Sequence, residues 1–303
     1  MTKPLVTIGV CVRNGEDTIK DAIESIMSLD FPHELMEVFF VDDGSTDDTL
    51  SIIKNNISNL GIYARVFHTS WKGLGHARNV VVDNAKGEYI LWVDGDMILS
   101  KDFVRKLVDH MEEHHEIGIA KGKQSLESGG NLLGTLESYS RAAGRMVDYG
   151  SERACSKALG TGGSLYRVDA IKQAGKFDEN LRGYGEDFDM EIRVRAKGWS
   201  LDTVNADFLD YERLGLVWKD LWSRYWHRGY HTHYFLHKNR RLLKHYRMLP
   251  PIAFLAGFLH ASTLFKLTSK KKVFLLPFQY AFKMSAWYSG FIRGHLNSYE
   301  PRS

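Results

Sequence analysis

Two rhythms of apolar residues organise the first half of this 303-residue chain. Short β-rich apolar runs at Leu5 to Val12, Met36 to Val41, Ile62 to Phe67 and Glu88 to Val93 read as strands, the last of them fully buried. Between them, Asp17 to Ser28, Thr46 to Ile57 and Leu74 to Ala85 carry apolar residues three and four apart, as helices lying on a sheet do. The alternation predicts an α/β fold with stacked βαβ units on a mixed, mostly parallel sheet flanked by helices. A helix from Lys101 to about His115, a strand at Ile117 to Lys123 and a helical stretch at Asn131 to Tyr149 follow. Further on come a loop into strand at 160 to 168, a helix from Glu186 to Lys197 ended by Gly198, and a strand at Ser200 to Phe208.

The rhythm changes near residue 215. Residues 1–214 are expected to form one catalytic domain, with 1–100 and 101–214 as its two halves, and 215–303 a helical extension. From Lys219 to Arg247 the chain has eight Lys or Arg, five His and one acid, Asp220. Two apolar segments come after it, 249 to 265 and 273 to 292, the second long enough to span a bilayer. It contains Pro277, Gln279 and Lys283, however, and a membrane hairpin would put the KLTSKKK linker on the far side of the membrane from the catalytic domain, against the positive-inside rule. Helices lying in the membrane surface beside a basic patch fit better, with core helices packed on the catalytic domain and true spanning as the alternatives.

With 44% hydrophobic residues the chain can bury a full core, and a net charge of +3 is too small to argue for nucleic acid. Cys11 and Cys155 are the only cysteines, which excludes a disulfide framework and a cysteine metal knuckle and suits a reducing, cytoplasmic compartment. The opening MTKPLVTIGVCV lacks the long apolar region of a signal peptide and reads as a first strand.

Ligands of open α/β sheets bind beyond the carboxyl ends of the strands, and two of those ends are acidic here. The strand ending at Val41 runs into DDGSTDDT, and the strand ending at Val93 runs into DGD. Clustered carboxylates repel unless a cation or hydrogen bonds hold them charged. Asp94 and Asp96, with Gly95 between them, suit a hard cation such as Mg²⁺ or Mn²⁺ that keeps positions open for phosphate oxygens, although a short acidic turn is equally a solvated one. Glu186 and Asp187 follow a Gly-Tyr-Gly turn at a helix start, where the helix dipole alone favours acids. Asp189, Glu191, Arg193 and Arg195 read as surface charge on the same helix. In GLGHARNV the glycines allow close approach of a ligand, with Arg78 on the first helical turn. GTGGS at 160 to 164 lacks the full spacing of a dinucleotide fingerprint.

In this order the motifs resemble family 2 inverting glycosyltransferases of the GT-A fold, over about Leu5 to Trp199. The resemblance implies a nucleotide-diphospho-sugar donor. TIGVCVRNGEDTI is similar to the opening strand and nucleotide-contacting loop, here with Arg13 and Glu16. VDDGSTDDT is similar to the acidic nucleotide motif, with Asp43 or Asp42 reaching the base, and GLGHARN to the segment whose Arg, Arg78, contacts the nucleotide. WVDGDM is similar to the metal-binding Asp-x-Asp, with Asp94 also on the donor side and Asp96 beside it. TGGSLYR resembles the acceptor-side strand, with Gly162 and Gly163, and GYGEDFDM the Glu-Asp motif, with Glu186 on the acceptor side and Asp187 as general base. His227 and His231, four apart on a predicted helix, lie where some members supply a metal ligand; an exposed basic face is the alternative.

The chain departs from the family's processive polymer synthases in having RYWHRGYHTHY at 224 to 234 where they carry Gln-x-x-Arg-Trp, which favours transfer of a single sugar. A polyprenyl phosphate or lipid-linked glycan acceptor at the cytoplasmic membrane surface would connect the basic and apolar segments. A nucleotidyltransferase on a similar sheet and a catalytically inactive sugar-nucleotide sensor are the competing functions.

Overall fold

A computed structural model describes residues 3–124, 130–142, 158–210, 215–239 and 248–298. The expected strands and helices are present with shifted ends. They run β1 (Val6–Val12), α1 (Ile19–Met27), β2 (Met36–Asp43), α2 (Thr49–Asn56), β3 (Tyr63–Thr69), α3 (Leu74–Asn84) and β4 (Tyr89–Asp94). Next come β5 (Met97–Leu99), α4 (Phe103–Glu113), β6 (Ile117–Gln124), α5 (Leu132–Ala142), β7 (Ser164–Arg167), α6 (Val168–Ala174), α7 (Glu186–Ala196) and β8 (Ser200–Asp210). The short β5 and α6 were not foreseen, since three and seven residues are too few for a period to show. The expected helix at 131 to 149 is seen as α5, and its continuation past Ala142 lies outside the described residues.

The strands form one eight-stranded sheet in the order β3-β2-β1-β4-β7-β6-β8-β5. The first four are parallel, β7 runs antiparallel to both β4 and β6, and β5 pairs antiparallel with β8. This is the mixed sheet expected, and it positions the acids by register. Val12 pairs with Asp42 and Cys11 with Asp94, so the ends of β2 and β4 flank the end of β1 with their carboxylates on either side. Beneath them Val6, Ile8, Val10, Val38, Phe40, Leu91 and Val93 are buried in one apolar core with α1 and α4. A strand so buried is a rigid mount for whatever stands at its end.

The chain divides into two compact units. The first contains the sheet. The second takes in residues 126–147, 183–185 and 212–303, so α5 and Gly183 to Gly185 group with the C-terminal helices and the last boundary falls between 211 and 212. Those helices are α8 (Trp218–Lys238), α9 (Pro250–Thr268) and α10 (Leu276–Leu296), with a 3₁₀ turn at Lys271–Leu275. Pro277 sits in the first turn of α10, where a missing N–H costs nothing, so it starts the helix and does not break it. α8 and α10 meet through glycines: a methyl on Gly229 would lie 1.9 Å from the Trp287 carbonyl, and one on Gly290 1.9 Å from that of Trp226.

Gln279 and Lys283, the polar residues of the second apolar segment, point inward. Lys283 Nζ donates to Glu137 Oε2 of α5 at 2.9 Å and to Ser140 Oγ at 2.7 Å, and Gln279 Nε2 donates to the same Glu137 oxygen at 3.3 Å. Burial opposes the charge of Glu137, but Lys283 and then Arg141 outweigh it and hold the carboxyl well below its ordinary range. Among the described residues no helix is long and apolar enough to cross a membrane, so the spanning alternative has no helix there to rest on.

Candidate active site

β4 ends at Asp94, and the chain turns through Gly95 and Asp96 into β5. The glycine is required by packing, because a methyl there would meet Val12 at 2.8 Å. Asp94 is exposed, Asp96 half-buried, and the strand beneath them buried throughout. Below lies Cys11, whose thiol is pushed up to about 12 by burial and by the charges of Asp94 and Asp43, only partly offset by Arg78. It is therefore a small inert side chain.

The loop at 159–163 comes directly against this turn. A methyl on Gly162 would lie 2.3 Å from Asp94 Oδ2, and one on Gly160 would lie 3.8 Å from Asp187 Oδ2. One short loop thus lies against the Asp-x-Asp turn and close to Asp187 of the Glu-Asp motif. Gly163 at its far end has φ of +71° and packs on the Phe208 ring; its N–H donates to the Trp92 carbonyl at 2.9 Å, which ties the loop to β4. Asp187 stands half-buried on the first turn of α7, with its Oδ1 accepting from the Phe188 N–H at 2.7 Å.

Arg78, assigned to the nucleotide by the resemblance, is only 5% exposed. Its guanidinium pairs with Glu186, donates to Thr161 Oγ1 at 2.6 Å and packs against the rings of Trp92 and Phe177. Burial would lower its pKa, but the charges of Glu186 and then Asp187 outweigh that and hold it cationic. Glu186, expected on the acceptor side, is buried with it, and burial raises its carboxyl despite Arg78. The pair is a brace under the loop and the start of α7. The glycines of GLGHARN likewise make room for backbone, not ligand: a methyl on Gly73 would meet the Arg182 carbonyl at 2.4 Å, and one on Gly75 that of Asp178 at 2.7 Å.

Asp42 and Asp43 are both buried and both engaged. Asp43 accepts from the Lys72 and Gly73 N–H groups, each at 2.8 Å, and from Thr69 Oγ1 at 3.2 Å, closing the loop before α3. Asp42 accepts from the Ser45 N–H at 3.2 Å and meets His68 Nδ1 at 2.6 Å. Arg13 is exposed, its guanidinium 5.5 Å from the centre of the Trp71 ring, and Glu16 Oε2 accepts from the Asp48 N–H at 3.0 Å. These contacts bind the loops after β1, β2 and β3 into one rim.

The reading of Asp189 and Glu191 as surface charge is overturned: each is 1% exposed. Asp189 pairs with Arg193 at 2.8 Å. Glu191 reaches the 159–163 loop, its two oxygens accepting from the Leu159 N–H at 2.8 Å and the Gly160 N–H at 2.6 Å. Burial, and then the charge of Asp187, push Glu191 up to about 8. Lys121 of β6 holds the carbonyls of the same two residues, at 2.7 Å and 3.2 Å. Glu191 reads from the sequence as surface charge, and Lys121 carries no signal there at all, because their common partner is a loop distant in the chain.

In the second unit the rings of His227 and His231 stack with centres 6.5 Å apart, so they share a face of α8. His231 is buried against Gly183, and burial, then His227, lower it to about 4, so its imidazole is neutral at pH 7. Among the described residues no group of three or more His, Cys, Asp and Glu side chains is gathered as a metal site. The Asp94–Asp96 turn nevertheless fits a divalent cation of the kind that takes one or two carboxylates and completes its shell with substrate phosphates and water.

Comparison with known proteins bears on the family and the fold. The model of glycosyl transferase family group 2 matches residues 89–292, and that of glycosyl transferase family 2 matches residues 7–146. The poly(ribitol-phosphate) beta-N-acetylglucosaminyltransferase TarS of Staphylococcus aureus is 35% identical over 102 residues, 34% of this chain and 18% of that protein. The chain therefore spans less than a fifth of that relative's length. Among solved structures, a mannosyltransferase from Pyrobaculum calidifontis in complex with GDP-Man and Mn²⁺ superposes with a TM-score of 0.67 at 16% identity, over 98% of this chain and 88% of that one. Residues 1–349 of S. aureus TarS in complex with UDP-GlcNAc superpose with a TM-score of 0.54 at 18% identity, over 98% and 93%. At these identities the superpositions speak for the fold alone.

Proposed function

The chain belongs to the family 2 glycosyltransferases, and from that premise we propose that it moves one sugar from a nucleotide-diphospho-sugar to an acceptor hydroxyl or phosphate with inversion at the anomeric carbon. The observation that carries this reading is the loop at 159–163, which lies against Asp94 on one side and Asp187 on the other. Chemistry at a sugar C1 needs such an arrangement: charge compensation where the diphosphate leaves, and a base where the acceptor arrives.

Asp94 and Asp96 would hold Mn²⁺ or Mg²⁺, which when bound offsets the charge of the departing diphosphate. Arg13, Glu16, Asp42 and Asp43 belong to the rim formed by the loops after β1, β2 and β3, and we assign that rim to the nucleotide. Asp187 accepts the acceptor's proton as its oxygen attacks from the face opposite the leaving group. Its partial exposure supports this role, since Glu186 beside it is buried and committed to Arg78. The sequence RYWHRGYHTHY at 224 to 234, where the processive synthases carry Gln-x-x-Arg-Trp, supports single transfer in place of polymer synthesis.

A lipid-linked acceptor at a membrane surface is supported by the second unit. From residue 249 to 298 there is no acid. Lys266, Lys270, Lys271 and Lys272 are exposed, together with Leu255 (65%), Leu259 (73%), Phe258, Phe274 and Phe278. Apolar side chains rimmed by lysines suit an anionic bilayer surface.

A panel of nucleotide sugars including UDP-GlcNAc and GDP-mannose, scored for thermal stabilisation with and without Mn²⁺, tests the functional reading. One donor is expected to raise the melting temperature, and more so with the metal, because a ligand that binds only the native state stabilises it by mass action. Equal melting with every donor would contradict the reading.

A further inference from the structure

We propose that Glu191 is a positioning residue that sets Asp187 for proton transfer by holding the backbone of Leu159 and Gly160 beneath it. This rests on the glycosyltransferase reading, in which Asp187 is the base, and extends it to a residue with no contact to either substrate.

The loop has two separately held ends. At 161–163, Thr161 Oγ1 accepts from Arg78 at 2.6 Å, the Gly163 N–H donates to the Trp92 carbonyl at 2.9 Å, and the Gly163 carbonyl accepts from the Gly122 N–H at 2.9 Å. That end lies against Asp94 through Gly162. At 159–160, both N–H groups are taken by Glu191 and both carbonyls by Lys121. That end lies against Asp187 through Gly160, which has φ of +83°. Gly160 can take this left-handed conformation because it has no side chain, and the two bonds from Glu191 hold the loop's orientation toward Asp187.

Glu191 and Asp187 are four apart, one helical turn, with the loop bonded to the first and facing the second. Only a carboxyl group accepts two parallel backbone N–H bonds in this way. A glutamine has one acceptor oxygen and turns an N–H₂ donor toward the second amide, which releases one of the two bonds. The consequence is local: the 159–160 end moves under Asp187, while the 161–163 end keeps its own anchors and Asp94 keeps its neighbour.

The test is a double-mutant cycle of Glu191→Gln with Asp187→Asn, read as release of nucleoside diphosphate from UDP-GlcNAc and from GDP-mannose with Mn²⁺, alongside donor affinity. Alone, Glu191→Gln is expected to cut kcat at least tenfold and change donor Kd by less than about threefold. In the Asp187→Asn background it is expected to cost less than a further twofold, because the group it positions is already gone. Thr161→Val, which loosens the other end, should weaken donor binding more than it slows turnover. A Glu191→Gln enzyme with kcat within twofold of wild type, or the same fold loss in both backgrounds, overturns the proposal. Where Glu191→Gln does not fold, Glu191→Asp, which keeps the carboxyl group but retracts it by one methylene, decides by the same criteria. If the wild type turns over neither donor, it is the reading of these donors that fails. The clamp is then judged by amide exchange: Gly160 must exchange at least tenfold faster in Glu191→Gln with Gly163 unchanged, and equal protection of Gly160 overturns it.

Discussion

At Gly162 the volume a side chain would need is occupied by the Asp94 carboxylate, 2.3 Å from where a methyl carbon would stand. Gly162→Ala should therefore displace the Asp94 carboxylate and not merely crowd a loop, at little cost to folding because that side chain is exposed and can swing away. A Mn²⁺ titration of activity should show the half-saturating concentration raised at least tenfold, and an unchanged metal dependence would contradict the account of this contact. The places of Asp94, Asp96 and Asp187 in the fold were legible in the sequence because each sits in a short motif at the end of a strand or the start of a helix. Glu191 was not legible, because its partners lie about thirty residues earlier in the chain. Spacing on the helix alone made it a surface charge. Arg78 was visible as a candidate residue, but its burial against Glu186, 108 residues later in the chain, was not.

Among the elements, α8 and α10 pack at backbone distance, and Gly229, Gly290 and Gly294 are what permit it. Gly290→Ala puts a methyl 1.9 Å from the Trp226 carbonyl, an atom that cannot rotate away, and should lower stability by about 2–3 kcal/mol or more. A thermal melt within a degree of wild type would refute the close crossing. Lys283→Met would leave Glu137 charged and buried without its nearest cation, with an expected loss of about 3–5 kcal/mol. Adding Glu137→Gln to that variant should recover much of the loss, since the uncompensated charge is then gone. Histidine 231 supplies a pH signature. Its folded pKa of about 4 lies below the ordinary 6.5, so its neutral form stabilises the fold fully above pH 6.5. That contribution is lost as pH falls from 6.5 toward 4. Between pH 7.5 and 5.5 the stability difference between wild type and His231→Gln should shrink by roughly 1 kcal/mol, measured by chemical denaturation at both values. Helices α8 and α10 were legible as helices, yet their polar residues were misplaced: hydropathy treats Gln279 and Lys283 as a break in an apolar run, and only tertiary structure reveals that they face Glu137.

For the molecule as a whole, the α/β alternation was readable from sequence because strand and helix periods differ, whereas the membership of α5 in the second unit was not, since α5 lies between segments of the sheet. The apolar, acid-free surface of residues 249–298 predicts co-sedimentation with vesicles containing anionic phospholipid at low salt, weakening as salt rises. Leu259→Asp should reduce that binding at least tenfold, and undiminished binding would argue against this face. The central claim concerns the carboxylates at the end of β4 and the start of α7, and it is tested most directly by comparing wild type with Asp187→Asn for donor affinity and turnover in Mn²⁺, using whichever nucleotide sugar stabilises the protein. The account predicts that donor binding is retained within a few fold while turnover falls about 10²-fold or more, the scale of a positioned base. Near-normal turnover in Asp187→Asn would contradict it.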